Sequence, residues 1–403
     1  MPDFEIPPAQ YGVIITRRDI DRFEHNALFA HELTVAMRQH GMPVRSLDFL
    51  LQAPELFAAL RDPSCAFMVC FNGFGSELMI SPSQSPTVLT SAFTVFNKPL
   101  LDLMHDCPAH DAMRHQWEST FPQRILLLTD HGYAHLARSM GFPNVGYVPS
   151  MTFPATMEDD PKPIKSRKTQ ILLSIGLAAP NVVVERFRDS KGYKDRVYSS
   201  LFDAVTSAAI PDWRIDPLAE LLKACRQCDC DLDFRSADCR FLLTAVLDYV
   251  KFARRRNLLR ALAHLPITVI SDREPDEEIA GNRLTFAPQC SATELLHRME
   301  DSQCVICPTP HMTGFHERAM GAFTAGAVVI SPPNEVIETS FVAGKEYVYF
   351  RNEAELAGTL EAALSAPGCL QPIATAGRER AMAMFHPVRL AAVFLSLLTT
   401  RGI

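Results

Sequence analysis

The chemistry of this chain concentrates where a strand hands over to a helix. Cys304-Val305-Ile306-Cys307-Pro308 is an apolar run that ends in a loop, Thr309-Pro310-His311-Met312-Thr313-Gly314-Phe315. A helix follows from His316-Glu317-Arg318 and closes at Ala325-Gly326, before the apolar run Ala327-Val328-Val329-Ile330. Such an arrangement presents backbone N–H groups and the positive end of a helix to whatever lies beyond the sheet edge, and that environment favours an anion such as a diphosphate. Arg318, in the first turn, is suited to a bidentate phosphate contact. Glu317 is suited to accept from sugar or ribose hydroxyls. Gly314, Phe315, His316, Glu317 and Arg318 are therefore the candidate anion-facing residues. Read alone, the same letters also describe an ordinary solvated first turn capped by His316.

Other strand ends offer further groups. Asp272-Arg273 follows Pro266-Ile267-Thr268-Val269-Ile270, and Gly176 ends Thr169-Gln170-Ile171-Leu172-Leu173-Ser174-Ile175. All three belong with the anion-facing set. Proton transfer needs a base at a strand's carboxyl end in the other half of the chain. Asp106 is the first candidate, with His105 beside it, then His25 after the first strand. Asp130-His131 comes third. Asp229-x-Asp231-x-Asp233 has the letters of a metal site but no strand before it, and it reads as a solvated turn. Cys225-x-x-Cys228, with Cys230 and Cys239 or His264, resembles half of a zinc site and lacks a second Cys-x-x-Cys pair. No metal is expected.

The elements that must position these groups read as βα units. Gly12-Val13-Ile14-Ile15-Thr16 is a first buried strand, and residues 26–40 form a helix in which Phe29, Leu33 and Met37 recur every fourth position. Apolar strands follow at 44–47, 66–71, 99–104, 124–129 and 145–148. Their continuous hydrophobicity predicts a parallel sheet covered on both faces. A Pro-, acid- and Lys-rich break at 153–168 predicts a linker. The pattern then restarts, with strands at 266–270, 284–286, 303–307 and 327–330 and helices at 292–299, 316–324 and 353–364. Asn352 should cap the last of these. The fold class expected is α/β, with two facing Rossmann-like doubly wound domains: 1–155, a linker 156–168, and 169–385. The second carries a helical insert at about 178–262, and 386–403 forms a C-terminal helix. Ligands of such sheets bind at topological switch points beyond the carboxyl ends of the strands.

Composition narrows the partners. The 403 residues carry a net charge of -7, with 39 basic against 46 acidic side chains, which argues against nucleic acid as a partner. Lys251 with Arg254-Arg255-Arg256 reads as a solvated helix face. No basic and apolar leader opens the sequence, and no uninterrupted apolar run reaches the ~18 residues of a membrane span. Eleven scattered cysteines fit reduced thiols and a cytoplasmic setting.

The segment 304–330 resembles the donor domain of GT-B glycosyltransferases. It is particularly similar to the group named after the spore maturation protein CgeB, whose helix closes in Ala-Ala-Gly before an apolar strand. The counterpart here is His316-Glu317-Arg318-Ala319-Met320-Gly321-Ala322-Phe323-Thr324-Ala325-Gly326. Tyr347-Val348-Tyr349-Phe350, Asn352-Glu353-Ala354-Glu355-Leu356 and Gly377-Arg378-Glu379-Arg380 with Phe385-His386 and Arg389 extend the likeness. Phe71-Asn72-Gly73, Met104-His105-Asp106-Cys107-Pro108 and Asn144-Val145-Gly146-Tyr147-Val148-Pro149 extend it loosely into the first half. The resemblance implies transfer of a sugar from a nucleoside diphosphate sugar to a glycan, protein or small-molecule acceptor, with no further cofactor and no metal. The same architecture without turnover would be a carbohydrate- or partner-binding protein. One departure stands out. The Glu-x7-Glu pair of many retaining GT-B enzymes falls here on Thr313 and Gly321, so Glu317, one turn before Gly321, is the substitute expected to hold the ribose.

Overall fold

The computed structural model describes residues 10–81, 89–116, 120–157, 160–189, 196–273, 283–308 and 313–400. Met1 to Glu5, Glu158-Asp159 of the predicted linker and Thr309-Pro310-His311-Met312 of the predicted loop lie outside them. The first half runs β1 (Tyr11–Thr16), α1 (His25–Gln39), β2 (Val44–Asp48), α2 (Ala53–Arg61) and β3 (Cys65–Phe71). A small hairpin, β4 (Met79–Ile80) and β5 (Thr90–Ser91), and α3 (Ala92–Val95) come next, then β6 (Leu100–Met104), β7 (Arg124–Leu128), α4 (His131–Ser139) and β8 (Val145–Tyr147). The main strands form one parallel sheet in the order β2-β1-β3-β6-β7-β8. β6 and β7 are buried along their whole length, as a sheet covered on both faces requires, and their two charged residues, Asp102 and Arg124, pair with each other.

The second half opens with β9 (Thr169–Ser174) and four helices, α5 (Pro180–Arg188), α6 (Arg196–Ala209), α7 (Pro217–Gln227) and α8 (Ala237–Leu262). It continues with β10 (Ile267–Ser271), β11 (Leu284–Pro288), α9 (Ala292–Glu300), β12 (Ser302–Ile306), α10 (Glu317–Thr324), β13 (Val328–Ser331), α11 (Glu335–Ser340) and β14 (Val348–Tyr349). The chain ends with α12 (Glu353–Ser365), α13 (Leu370–Phe385) and α14 (Pro387–Thr400). The strand order β11-β10-β9-β12-β13-β14 reverses direction between β9 and β12, so the switch point lies at the ends of those two strands. In the first sheet the reversal falls between β1 and β3.

The halves are joined in more than one place. Thr152, in the predicted linker region's approach, donates from both its amide and its hydroxyl to the Phe385 carbonyl, at 2.9 and 3.1 Å. Beyond Phe385 the chain turns at Pro387, and α14 returns to the first half, where Leu390, Phe394 and Leu395 share a core with Phe29, Leu33 and Met37 of α1. The stretch Pro367–Thr399 reaches a mean hydropathy of 1.7, high enough for a membrane-crossing helix, but it is broken at His386-Pro387 and is partly buried in that core.

The helical insert is built into both halves. Phe187, Leu201, Phe202, Leu221, Leu242, Leu243 and Val246 pack with Leu126 and Leu128 of β7 and with Tyr133, Leu136 and Ala137 of α4. The far end of α8 places Leu258, Leu259 and Leu262 on the second sheet, against Ile171, Leu173, Ile267 and Val269. A helix of 26 residues spans about 39 Å, enough to reach from one half to the other.

The basic tract on α8 is not the solvated face that its spacing suggests. Arg254 is 3% exposed, and its guanidinium donates to the carbonyls of Ala209, Asp212 and Ile215 at 2.6, 2.7 and 2.9 Å. It closes the turn between α6 and α7, where helix-end carbonyls need partners. Nor does the cysteine cluster gather a metal site. Cys225 is buried in the apolar core, Cys228 is exposed at the end of α7, and Cys239 meets the Tyr198 hydroxyl at 2.9 Å. Among the described residues no three His, Cys, Asp or Glu side chains are placed to hold a metal ion. The eleven cysteines form no disulfide with one another.

Candidate functional site

The switch point of the second sheet gathers an arginine pair. Arg318, in the first turn of α10, donates from Nη1 to the Ser174 carbonyl at the end of β9, at 3.0 Å. Arg255, from the middle of α8, donates from Nη1 to the Gly176 carbonyl at 2.8 Å. Both Nε atoms are buried without a hydrogen-bond partner among the described residues. Arg255 is 7% exposed. Burial first, and then the neighbouring Arg318, push its guanidinium down to about 9, with Asp248 and Asp272 only partly offsetting them. A guanidinium stays protonated at neutral pH. The shift therefore measures how poorly the site balances two positive charges, and an anion accepting from both would relieve that imbalance.

The start of α10 is arranged around His316, its N-cap. His316 Nδ1 lies 2.9 Å from Glu317 Oε2 and 3.3 Å from the Arg318 amide. The shorter contact, to a carboxylate, puts the hydrogen on Nδ1. Burial, with Arg318 and Arg255 adding to it, lowers the His316 pKa and so favours a neutral ring. For Glu317, burial alone would raise the carboxyl. The His316 ring and its hydrogen bond, Arg318 and His25 outweigh that and hold it well below its ordinary value. Because a neutral His316 supplies a hydrogen bond rather than a charge, the direction for Glu317 rests mainly on that bond and on Arg318. His25, the first residue of α1, comes from the other half of the chain, close enough for its charge to act on the Glu317 carboxyl. Glu24 before it holds a left-handed backbone, φ 59°, which only a tightly constrained non-glycine residue adopts.

The remaining predicted groups fall on either side of this cluster. Asp272 accepts from the Leu177 amide at 2.9 Å and so fixes the loop that carries Gly176. Arg273 beside it is exposed, and its side chain is not part of the arginine pair's bonding. In the first half, Asn72 and Gly73 form a turn with φ 48° and 72° at the end of β3. Gly73 donates to buried Asp102, which pairs with Arg124. Asn72 donates to Asp106 Oδ2 at 3.0 Å and accepts from the His105 amide at 2.9 Å. The His105 ring lies 4.5 Å from that of Phe29, so it packs against α1. Asp106 is exposed and held by Asn72.

Two predicted donor contacts are corrected. Phe315 is 6% exposed, and its ring meets Phe341 and Phe385 edge-on in the core. Gly314 packs on the first half instead of facing an anion. A Cβ there would lie 2.5 Å from the Thr129 carbonyl and 2.7 Å from Asp130 Cα. Gly321 also finds its reason in packing. A Cβ at Gly321 would lie 2.7 Å from Leu296 Cδ2 and 3.3 Å from Met299 Sδ, because α10 crosses α9 at that residue. A glutamate there would point into the contact between two helices, away from the strand ends. The sequence reads Arg255 as part of a solvated helix face, whereas it is 7% exposed and lies at the switch point. Its only signal was an arginine at the same helical register as Leu258, Leu259 and Leu262, the buried face of α8.

Residues 254–396 match the family described as Glycosyl transferase-like. No curated protein matches the chain. Among solved structures, sucrose-phosphate synthase from Thermosynechococcus elongatus is 11% identical over 97% of this chain and 100% of its own, with a TM-score of 0.53. Anabaena HepE in complex with UDP and glucose is 10% identical over 97% and 100%, with a TM-score of 0.52. A mutant of T4 phage BGT in complex with UDP-glucose is 8% identical over 96% and 99%, with a TM-score of 0.56. The fold is GT-B, two Rossmann-like domains that face each other.

Proposed function

We propose that this chain transfers a sugar from a nucleoside diphosphate sugar to an acceptor hydroxyl. The observation that carries the reading is the pair of buried Arg255 and half-buried Arg318 beside the N-terminus of α10, at the switch point of the second sheet. The match of residues 254–396 to a glycosyltransferase family spans both arginines. HepE and T4 phage BGT, which share the fold, are seen with UDP or UDP-glucose. The finer kinship to the CgeB-like group is proposed on the likeness of residues 316–326, extended by the segments at 347–356 and 377–389.

In this reading the bond from the anomeric carbon to the diphosphate oxygen breaks, and its electron pair leaves with the diphosphate. Arg255, Arg318 and the α10 amides stabilise that growing charge, a task for fixed donors in a site shielded from water. The acceptor hydroxyl forms the new bond to the anomeric carbon and gives its proton to His25, a candidate base whose charge reaches Glu317 at the start of α10. Asp106 and His105, tied to Asn72, are assigned to holding the acceptor. Glu317, ionised and fixed by His316, is assigned to a donor hydroxyl.

Two outcomes follow. His25→Gln should lower kcat roughly 10²- to 10⁴-fold, as loss of a general base does, with nucleoside diphosphate affinity unchanged by titration calorimetry. Because the diphosphate charge is assigned to guanidiniums and a helix terminus, EDTA should leave the transfer rate unaltered. The reading itself is tested by thermal shift against a panel of nucleoside diphosphates. A ligand of the native state at 100 times its Kd stabilises by about 2.7 kcal/mol. Stabilisation by at least one of them, followed by consumption of its sugar conjugate, is expected. Stabilisation without consumption would mark a binding protein, and no stabilisation by any would sink the proposal.

A further inference from the structure

We infer that Thr313 and Asp130 form a clasp between the two domains that sets the acceptor side of the cleft against the donor helix, which makes Thr313 a positioning residue for transfer. Thr313 belongs to the second domain by chain position, three residues before the α10 cap. Among the described residues its polar contacts lie in the first domain. The Thr313 hydroxyl donates to Asp130 Oδ1 at 2.7 Å and accepts from the Gly132 amide at 2.9 Å. Its carbonyl accepts from the His131 amide at 3.0 Å. Asp130 is 3% exposed and also caps α4 by accepting from the Tyr133 amide at 2.9 Å. Gly314 then bridges to Asp130 as one residue of a strand pair.

The fit is close on both sides of the joint. A Cβ on Gly132 would lie 3.0 Å from the Thr313 hydroxyl, and one on Gly314 would overlap the Thr129 carbonyl. From the Gly314 carbonyl onward the chain is held by its own domain. The buried Asn334 side chain donates to that carbonyl at 2.7 Å, and Phe315 is seated among Phe341 and Phe385. The same short segment is therefore gripped by the first domain at Thr313 and Gly314 and by the second at the Gly314 carbonyl and Phe315. His316, Glu317 and Arg318 follow directly. Four residues separate Thr313 from Glu317, so any shift at the clasp reaches the donor helix or the domain angle within about 14 Å of chain.

The division of contacts predicts a split in the effects of mutation. Removing the Thr313 hydroxyl loosens only bonds between the domains, while the donor groups keep their bonds within the second. Transfer needs reacting atoms from both sides held about 3–3.5 Å apart, and an error of about 1 Å can cost on the order of 10²-fold. This expectation rests on the glycosyl-transfer reading; the clasp itself does not.

The experiment compares the full-length wild type with Thr313→Val and Thr313→Ser by amide hydrogen exchange, UDP titration and transfer rate. Thr313→Val should speed exchange at His131 and Gly132, lower the transfer rate roughly 10- to 100-fold, and leave UDP affinity within about twofold. Thr313→Ser, which keeps the hydroxyl, should restore both exchange and rate. Unchanged exchange at His131 and Gly132 in Thr313→Val would overturn the clasp, whatever the activity. A fall in UDP affinity that parallels the fall in rate would overturn the positioning role and place Thr313 in the donor site. Absence of turnover in the wild type would count against the glycosyl-transfer reading and the positioning role together, and the exchange result would still decide the clasp.

Discussion

Replacing Arg255 by methionine should weaken nucleoside diphosphate binding roughly 10- to 100-fold and leave the unliganded protein no less stable. The first half of that result follows from the loss of a buried charge-assisted donor, worth about 1.5–3 kcal/mol when its acceptor is an anion. The second follows from what Arg255 lacks. Among the described residues its Nε is buried without a partner and its guanidinium donates to the Gly176 carbonyl alone, and Arg318 stands beside it with the same charge. Burying a charge without close compensation is costly, and an apolar side chain of similar length removes that cost. Calorimetric unfolding without ligand and UDP titration measure the two halves separately. Arg255→Lys should not recover full affinity, because an ammonium cannot reproduce the planar fork. A methionine variant that binds UDP like the wild type would remove Arg255 from the site.

Leu243→Ala tests how the insert belongs to the molecule. Leu243 is fully buried, in the core that α5–α8 share with β7 and α4. Truncation should cost about 2–5 kcal/mol, the range for a leucine replaced in a packed interior. The more telling expectation is where the loss spreads. Amide exchange should rise in β7 and α4 of the first domain together with α6–α8, since one core carries both. An insert that was only an appendage would loosen alone.

The strands were legible in the sequence because a parallel sheet buried on both faces leaves unbroken apolar runs, and 124–128 and 302–306 have no competing reading. The donor helix was legible from its cap, its first-turn charges and its closing glycine. Arg255 was not. Arginines on a long helix usually face water, and nothing local tells that α8 passes behind the Gly176 loop. The same blindness applies to Gly321, whose missing side chain reads as a lost ribose contact until Leu296 and Met299 of α9 are seen against it. Phe315 and Gly314 were placed correctly along the chain but assigned the wrong neighbours, because a loop's sequence does not say which domain it leans on. The insert's apolar faces announced that they pack. Only the fold shows that they pack on the first domain.

Two guanidiniums, of Arg255 and Arg318, meet a helix N-terminus at the end of β9. A crystal structure with a nucleoside diphosphate bound tests their proposed role most directly. The account predicts diphosphate oxygens within hydrogen-bond distance of both Arg255 and Arg318, above the first turn of α10. A diphosphate bound elsewhere, with the two arginines still donating only to the Ser174 and Gly176 carbonyls, would contradict it.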